Sequence, residues 1–124
     1  MARIGIIISN HGAEEWTEKA LKELYHVEEV LYFKHPDIDP RANKPTVWGQ
    51  AYRFLKSNGI MDIEGLIVAS INGEYGFSTA CVHILTPLTE CVYPTSERGA
   101  TEKPGPDGSI KTIHVYKFVQ FRRW

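Results

Sequence analysis

The stretch from Leu66 to Leu85 restricts the fold more than any other part of the chain. Leu66-Ile67-Val68-Ala69-Ser70 is an apolar run of strand length, Ile71-Asn72-Gly73-Glu74-Tyr75-Gly76 is a loop of small and polar residues, and Phe77-Ser78-Thr79 opens a predicted helix that runs to about Leu85. A strand that stops at a glycine-bearing turn and restarts as a helix leaves backbone N–H groups uncovered at the helix start, which suits an anion. Chemistry is therefore expected first at this turn.

The rest of the chain repeats the unit. Ala2 to Ser9 reads as a fully buried parallel strand, because Ile4, Ile6, Ile7 and Ile8 form a near-continuous run instead of an alternating one. It ends in Ser9-Asn10-His11-Gly12, and a helix follows over about Ala13 to Tyr25, with Trp16, Ala20, Leu24 and Tyr25 on one face and Glu14 and Glu15 in the first turn, where the dipole favours acids. Val27 to Phe33 is a second strand. Pro36, Pro40 and Pro45 make Lys34 to Thr46 an irregular loop, and a second helix runs from Val47 to Ser57, stopped by Asn58-Gly59. A fourth strand spans Glu90 to Ser96. Arg98 to Lys103 and Ser109 to Phe121 read as an antiparallel hairpin across Pro104-Gly105-Pro106-Asp107-Gly108. The last strand is apolar on both faces (Ile113, Val115, Val119 and Phe121 against Tyr116 and Phe118), which predicts a sheet centre or a dimer contact.

The fold class is thus α/β: one Rossmann-like domain over residues 1–124, with a parallel sheet core and a C-terminal antiparallel β-hairpin. With strand order 2-1-3-4, ligands bind where the order reverses, between the first and third strands. The loops meeting there read Ser9-Asn10-His11-Gly12 and Ser70-Ile71-Asn72-Gly73, both Ser-x-x-Gly.

Composition removes several classes. At 124 residues with 43 % hydrophobic and 23 % charged residues the chain suits one globule, and a formal net charge of −1 argues against a duplex nucleic acid partner. No apolar segment approaches a signal peptide or membrane span, which places the protein in the cytoplasm without a membrane partner. Cys81 and Cys91 lack C-x-x-C spacing and are expected as free buried thiols; the five histidines at 11, 26, 35, 83 and 114 have no ligand spacing, so no metal site is expected. His26 and His35 read as surface, His83 and His114 as packed. G-x-G-x-x-G, G-x-x-x-x-G-K-[ST] and G-x-S-x-G are all missing, and no cofactor is expected.

A phosphate-friendly cleft remains. Gly73 and Gly76 let backbone approach a ligand or simply serve the turn. Ser78 and Thr79 are helix-entrance hydroxyls or ligand contacts; Tyr75 stacks on a base or packs; Glu74 is a general base, a ribose acceptor or a solvated acid. His11 brings an imidazole, a group suited to proton transfer near neutral pH, to the predicted switch point, or is a polar loop residue. Arg98, in Thr95-Ser96-Glu97-Arg98-Gly99, is the best-placed cation for a phosphate, or forms a surface pair with Glu97 or Glu102.

Four segments in order, Gly73-Glu74-Tyr75-Gly76-Phe77-Ser78-Thr79, Cys91-Val92-Tyr93-Pro94-Thr95-Ser96-Glu97-Arg98, Pro106-Asp107-Gly108-Ser109-Ile110 and Val115-Tyr116-Lys117-Phe118-Val119-Gln120-Phe121-Arg122-Arg123-Trp124, resemble the small CRISPR-associated type III accessory proteins of the CARF-like ring nuclease group. Ser9-Asn10-His11-Gly12-Ala13-Glu14-Glu15-Trp16 is similar to the first loop of a sister family. The resemblance implies a CARF-like Rossmann fold, a homodimer around cyclic tetra-adenylate (cA4), and a metal-independent cleavage in which a ribose 2′-hydroxyl attacks the adjacent phosphate to leave a 2′,3′-cyclic phosphate, switching off type III signalling. A two-fold ring on a two-fold dimer asks each subunit to meet half the phosphates.

In the enzyme reading His11 or Glu74 assists deprotonation, Arg98 stabilises the developing charge, and Ser9, Asn10, Gly12, Asn72, Gly73, Tyr75, Gly76, Ser78, Thr79 and Ser96 bind the ligand. In the binding reading the same cleft sequesters the ring intact. A third reading makes the chain a structural partner of a larger effector through its apolar last strand.

Overall fold

The computed structural model describes residues 1–10 and 15–124, without the side chains of residues 98–101, 103 and 113–116. In chain order it forms β1 (Ile4–Ser9), α1 (Glu15–Tyr25), β2 (Glu29–Lys34), α2 (Lys44–Ser57), a 3-10 turn (Ile60–Asp62), β3 (Leu66–Asn72), α3 (Tyr75–Leu85), β4 (Glu90–Pro104) and β5 (Ile110–Arg123). One five-stranded sheet has the order β2-β1-β3-β4-β5, parallel through β4 and antiparallel at β5. The α/β class, the 2-1-3-4 order and the C-terminal antiparallel pair are as expected from the sequence.

The isoleucine run explains the layering. Ile4, Ile6 and Ile8 point to one face, where Val47, Ala51 and Leu55 of α2 and Phe77, Ala80 and Leu85 of α3 close the larger core. Ile7 points to the other, with Leu21 of α1, Val27, Val68 and Val92. The chain moves one way from β1 to β2 and the other way from β2 to β3 and β4, so crossovers of one hand put α1 alone on its face.

Two helix starts differ from expectation. α2 begins at Lys44, not Val47: the Asn43 side chain accepts the Thr46 N–H at 3.1 Å, and Pro45 sits in the first turn, where an N–H has no intrahelical partner anyway. α3 begins at Tyr75, not Phe77, because Glu74 caps it.

β4 is one continuous strand through Pro104, without the expected break at Glu97. It pairs with β3 only from Val68↔Glu90 to Ser70↔Val92. Beyond that rung the β4–β5 hairpin leaves the sheet at the carboxyl ends of the parallel strands and continues over a contour of about 40 Å. A bulge aims its base: Thr95 faces Gln120 and Ser96 faces Phe118, so Val119 is the extra residue. Without it Phe118 and Phe121 would lie on opposite faces; with it their ring centroids are 5.0 Å apart, and Trp16 and Tyr25 of α1 stack on them at 5.5 and 6.0 Å. The last strand is an edge strand, not a sheet centre. α1 covers Phe118 and Phe121, while Val119 and Ile110 stay exposed.

Gly108 closes the hairpin turn at φ +82°, and the Asp107 carboxylate accepts the Ser109 N–H at 3.1 Å. Cys81 and Cys91 are free and buried, as expected. His83 is exposed beside Trp48, at 5.0 Å between rings, where the sequence predicts a packed position. His35 departs further: it is buried, at 5 % exposure, where the sequence predicts surface. Among the described residues no helix is long and apolar enough to cross a membrane.

Candidate functional site

β1 and β3 end together. Ser9 is in register with Lys34 of β2 on one side and Asn72 of β3 on the other, which is the switch point that a doubly wound sheet offers a ligand. The Ser9 carbonyl accepts the His35 N–H at 2.9 Å and the Tyr32 hydroxyl at 3.1 Å, so the end of β1 is tied both to β2 and to the residue just past it. Asn10 and Asn72 are exposed on either side of the switch. His11 and Gly12, the other two candidates of the first loop, lie outside the described residues.

The β3–α3 turn has a different economy from the one its sequence suggests. Glu74 is the N-cap of α3, and its two carboxylate oxygens accept the N–H groups of Gly76 at 2.9 Å and Phe77 at 2.8 Å. The backbone donors that favour an anion are therefore already filled by an anion of the chain itself. Glu74 also donates its own N–H to the Nε2 of His35 at 3.1 Å. A carboxylate with both oxygens engaged is a cap in this conformation, not a free base. α2 also carries a cap of its own, Asn43, which accepts the Thr46 N–H, so both described helix entrances at this end already have a side-chain acceptor from the chain.

The remaining candidates divide. Tyr75 is 76 % exposed at the mouth of the turn and free to stack. Gly73 approaches the His35 ring so closely that an added Cβ would lie 2.2 Å from its Cδ2, which is a packing reason for glycine there. A Cβ on Gly76 would lie 3.2 Å from the Glu74 carboxylate, so this glycine serves the cap. Thr79 folds its hydroxyl back onto the carbonyls of Tyr75 and Gly76, at 2.9 and 3.0 Å. Ser78 corrects an expectation: it is fully buried, its Oγ has no hydrogen-bond partner, and a ligand at the surface does not reach it. It points into the core because it stands one helical turn past the cap, between Phe77 and the buried Ala80 and Cys81.

Ser96 is exposed on the hairpin, at the bulge. The Arg98 backbone pairs with that of Tyr116 beyond the last β3 rung, on the carboxyl side of the sheet; its side chain lies outside the described residues. Asn10, Asn72, Gly73 and Tyr75 thus share one rim, and the hairpin carrying Ser96 and Arg98 leaves from the same end; Ser9 corrects an expectation, because as the last residue of β1 it is buried, at 8 % exposure, behind that rim.

Three residues at this end escape a reading of the sequence. His35 joins the two loops, through its backbone to Ser9 and through its ring to Glu74. Trp124 sends its indole N–H to the carbonyl of Ile71 at 3.0 Å, and Tyr93 meets the same indole edge to face at 5.1 Å. β4 has by then left β3, whose last pair with it is Ser70↔Val92, and the indole bonds the next residue of β3. The one legible signal for His35 is its place directly after β2, beside the prolines; Trp124 gives none.

Chemically the rim offers the exposed amides of Asn10 and Asn72 and the phenol ring of Tyr75, which suit a neutral or ester-linked polar ligand better than a bare anion. Among the described residues no group of three or more His, Cys, Asp or Glu side chains is placed to hold a metal ion.

Across residues 3–122 the chain matches the model of the uncharacterized protein MJ1673 family. No curated protein and no solved structure matches it.

Proposed function

We propose, for a chain that belongs to the MJ1673 family, that it binds a cyclic oligoadenylate at the carboxyl end of its sheet and opens the ring. The observation that supports this reading is the convergence of the segments that resemble ring nucleases. The segment from Gly73 caps α3 beside the switch point, the segment from Cys91 pairs with the one that closes the chain, and the Trp124 indole joins that pair to the Ile71 carbonyl just ahead of Asn72.

In the proposed step the ribose 2′-oxygen attacks the adjacent phosphorus, the bond from phosphorus to the 5′-oxygen breaks, the 2′-hydroxyl gives up its proton and the leaving 5′-oxygen takes one up. Alignment of attacking and leaving oxygens supplies much of the rate. With Glu74 occupied as a cap, His11 is the base and Arg98 the cation on the phosphorane-like charge. Tyr75 stacks on an adenine and the amides of Asn10 and Asn72 hold ribose or phosphate oxygens. A homodimer matches the two-fold symmetry of a cA4 ring, and each subunit supplies one rim.

Radiolabelled cA4 incubated with the purified protein in EDTA at substrate excess tests the reading. Linear products ending in a 2′,3′-cyclic phosphate are expected beyond one ring per dimer. A second reading, a sponge that holds the ring intact, is favoured by the commitment of the Glu74 carboxylate to its own helix. A tightly bound, uncleaved ring would establish it, and neither binding nor cleavage would leave the chain as an interaction module.

A further inference from the structure

We infer that His35 is the positioning residue of this site, a neutral imidazole that bridges the two strands of the switch point and sets the turn carrying Asn72 to Tyr75. The role is stated for the ligand site proposed above and rests on that reading, but the bridge itself does not.

Five contacts converge on this residue. Its backbone N–H goes to the Ser9 carbonyl at the end of β1, at 2.9 Å. Its Nδ1 lies 2.6 Å from the Pro36 carbonyl, which can only accept, so Nδ1 carries the proton. Nε2 receives the Glu74 N–H at 3.1 Å, and a nitrogen that accepts a hydrogen bond presents its lone pair, so the ring carries one proton only. The ring is edge to face with Phe77 at 4.5 Å. Gly73 passes so close to the ring that no side chain fits there. Packing alone explains none of the polar part, since a phenyl ring would fill the space against Phe77 equally well. What the imidazole adds is an acceptor at the N-cap residue, holding the Glu74 backbone where both carboxylate oxygens reach Gly76 and Phe77.

His35→Phe keeps the ring and removes the acceptor; His35→Gln returns an amide oxygen at about the reach of Nε2. Long-range ¹⁵N–¹H correlation spectra of the native protein should show the Nδ1-protonated tautomer. Amide exchange at Glu74, Gly76 and Phe77 should be at least tenfold faster in His35→Phe, with the β1 amides unchanged, and should return toward native in His35→Gln. cA4 affinity should fall about tenfold and recover in the same order. A native Nε2-protonated tautomer overturns the inference even if His35→Phe does not fold. So does unchanged exchange at Gly76 and Phe77, or a glutamine that rescues nothing. A native protein that ignores cA4 while the exchange pattern holds sinks the proposed function and leaves the bridge standing.

Discussion

The indole N–H of Trp124 donates to the carbonyl oxygen of Ile71 across 3.0 Å, joining β3 to the residue just past β5 although β4 lies between them in the sheet. β4 stops pairing with β3 at Ser70↔Val92, one residue short of Ile71, so on that side the indole stands in register where no β4 residue does. The bond makes the split between sheet and hairpin a built feature of the carboxyl end.

Trp124→Phe should therefore cost more than an exposed aromatic exchange. It keeps a ring beside Tyr93 and leaves the Ile71 carbonyl without its donor, an expected loss of about 1 kcal/mol of unfolding free energy in urea titration. Trp124→Ala, which also removes the contact with Tyr93, should cost more. Equal stability of native and Trp124→Phe protein would mean that water replaces the indole without loss.

Gly73→Ala is expected to be worse than its size suggests. The new methyl carbon would lie 2.2 Å from His35 Cδ2, and the ring is held by both its nitrogens, so it moves only by giving up Glu74. A loss of roughly 1–3 kcal/mol is expected, the range of overpacked sites. Thermal melting of Gly73→Ala beside His35→Ala checks the cause: with the ring gone, the double variant should cost less than the sum of the two single losses only if the clash with the imidazole is the source.

Much of this is legible in the sequence and some is not, for reasons that concern range. The Ile4 to Ile8 run and the Leu66 to Ser70 run declare buried parallel strands by themselves, and alternation with helices orders them. Pro45 is ambiguous rather than silent, because a proline two residues after an asparagine is as good a helix start as a loop signal, and only the packing of Val47 and Ala51 decides for the helix. Ser78 is not legible, since a hydroxyl just inside a helix looks the same whether it faces the solvent or Phe77. His35 is invisible for a plainer reason: its partner Glu74 is 39 residues away, and no local pattern reports a contact of that span. The bulge at Val119 is likewise set by what α1 must bury, not by strand periodicity.

Glu74→Ala separates cap from base. Loss of the two hydrogen bonds at the start of α3 should lower stability by about 1 kcal/mol, and cA4 affinity should fall about as far as in His35→Phe, because the turn carrying Asn72 to Tyr75 loses the same cap. Calorimetric titration and a cleavage time course check it together. A hundredfold fall in cleavage at unchanged affinity and stability would return Glu74 to the role of base.

The two cysteines give a prediction that no ligand is needed to test. Burial pushes the Cys81 thiol up from 9.0 to about 12, with the neighbouring Cys91 adding to it, and burial also raises Cys91 against an opposing hydrogen bond from Thr86. A thiol with a raised folded value contributes stability that is fully present below its unfolded value near 9.0 and is lost as pH rises through the folded one. Denaturant titrations should thus show stability falling from pH 9 toward pH 12, and a Cys81→Ala variant should flatten the slope of that fall at the expense of the core contacts of the side chain. At pH 8 a thiol-specific reagent should label neither cysteine in the folded protein and both once it is unfolded, since reaction requires the thiolate and access. Rapid labelling of Cys81 in the folded protein would show that α3 opens locally, and the cap at Glu74 is the place where such opening would begin.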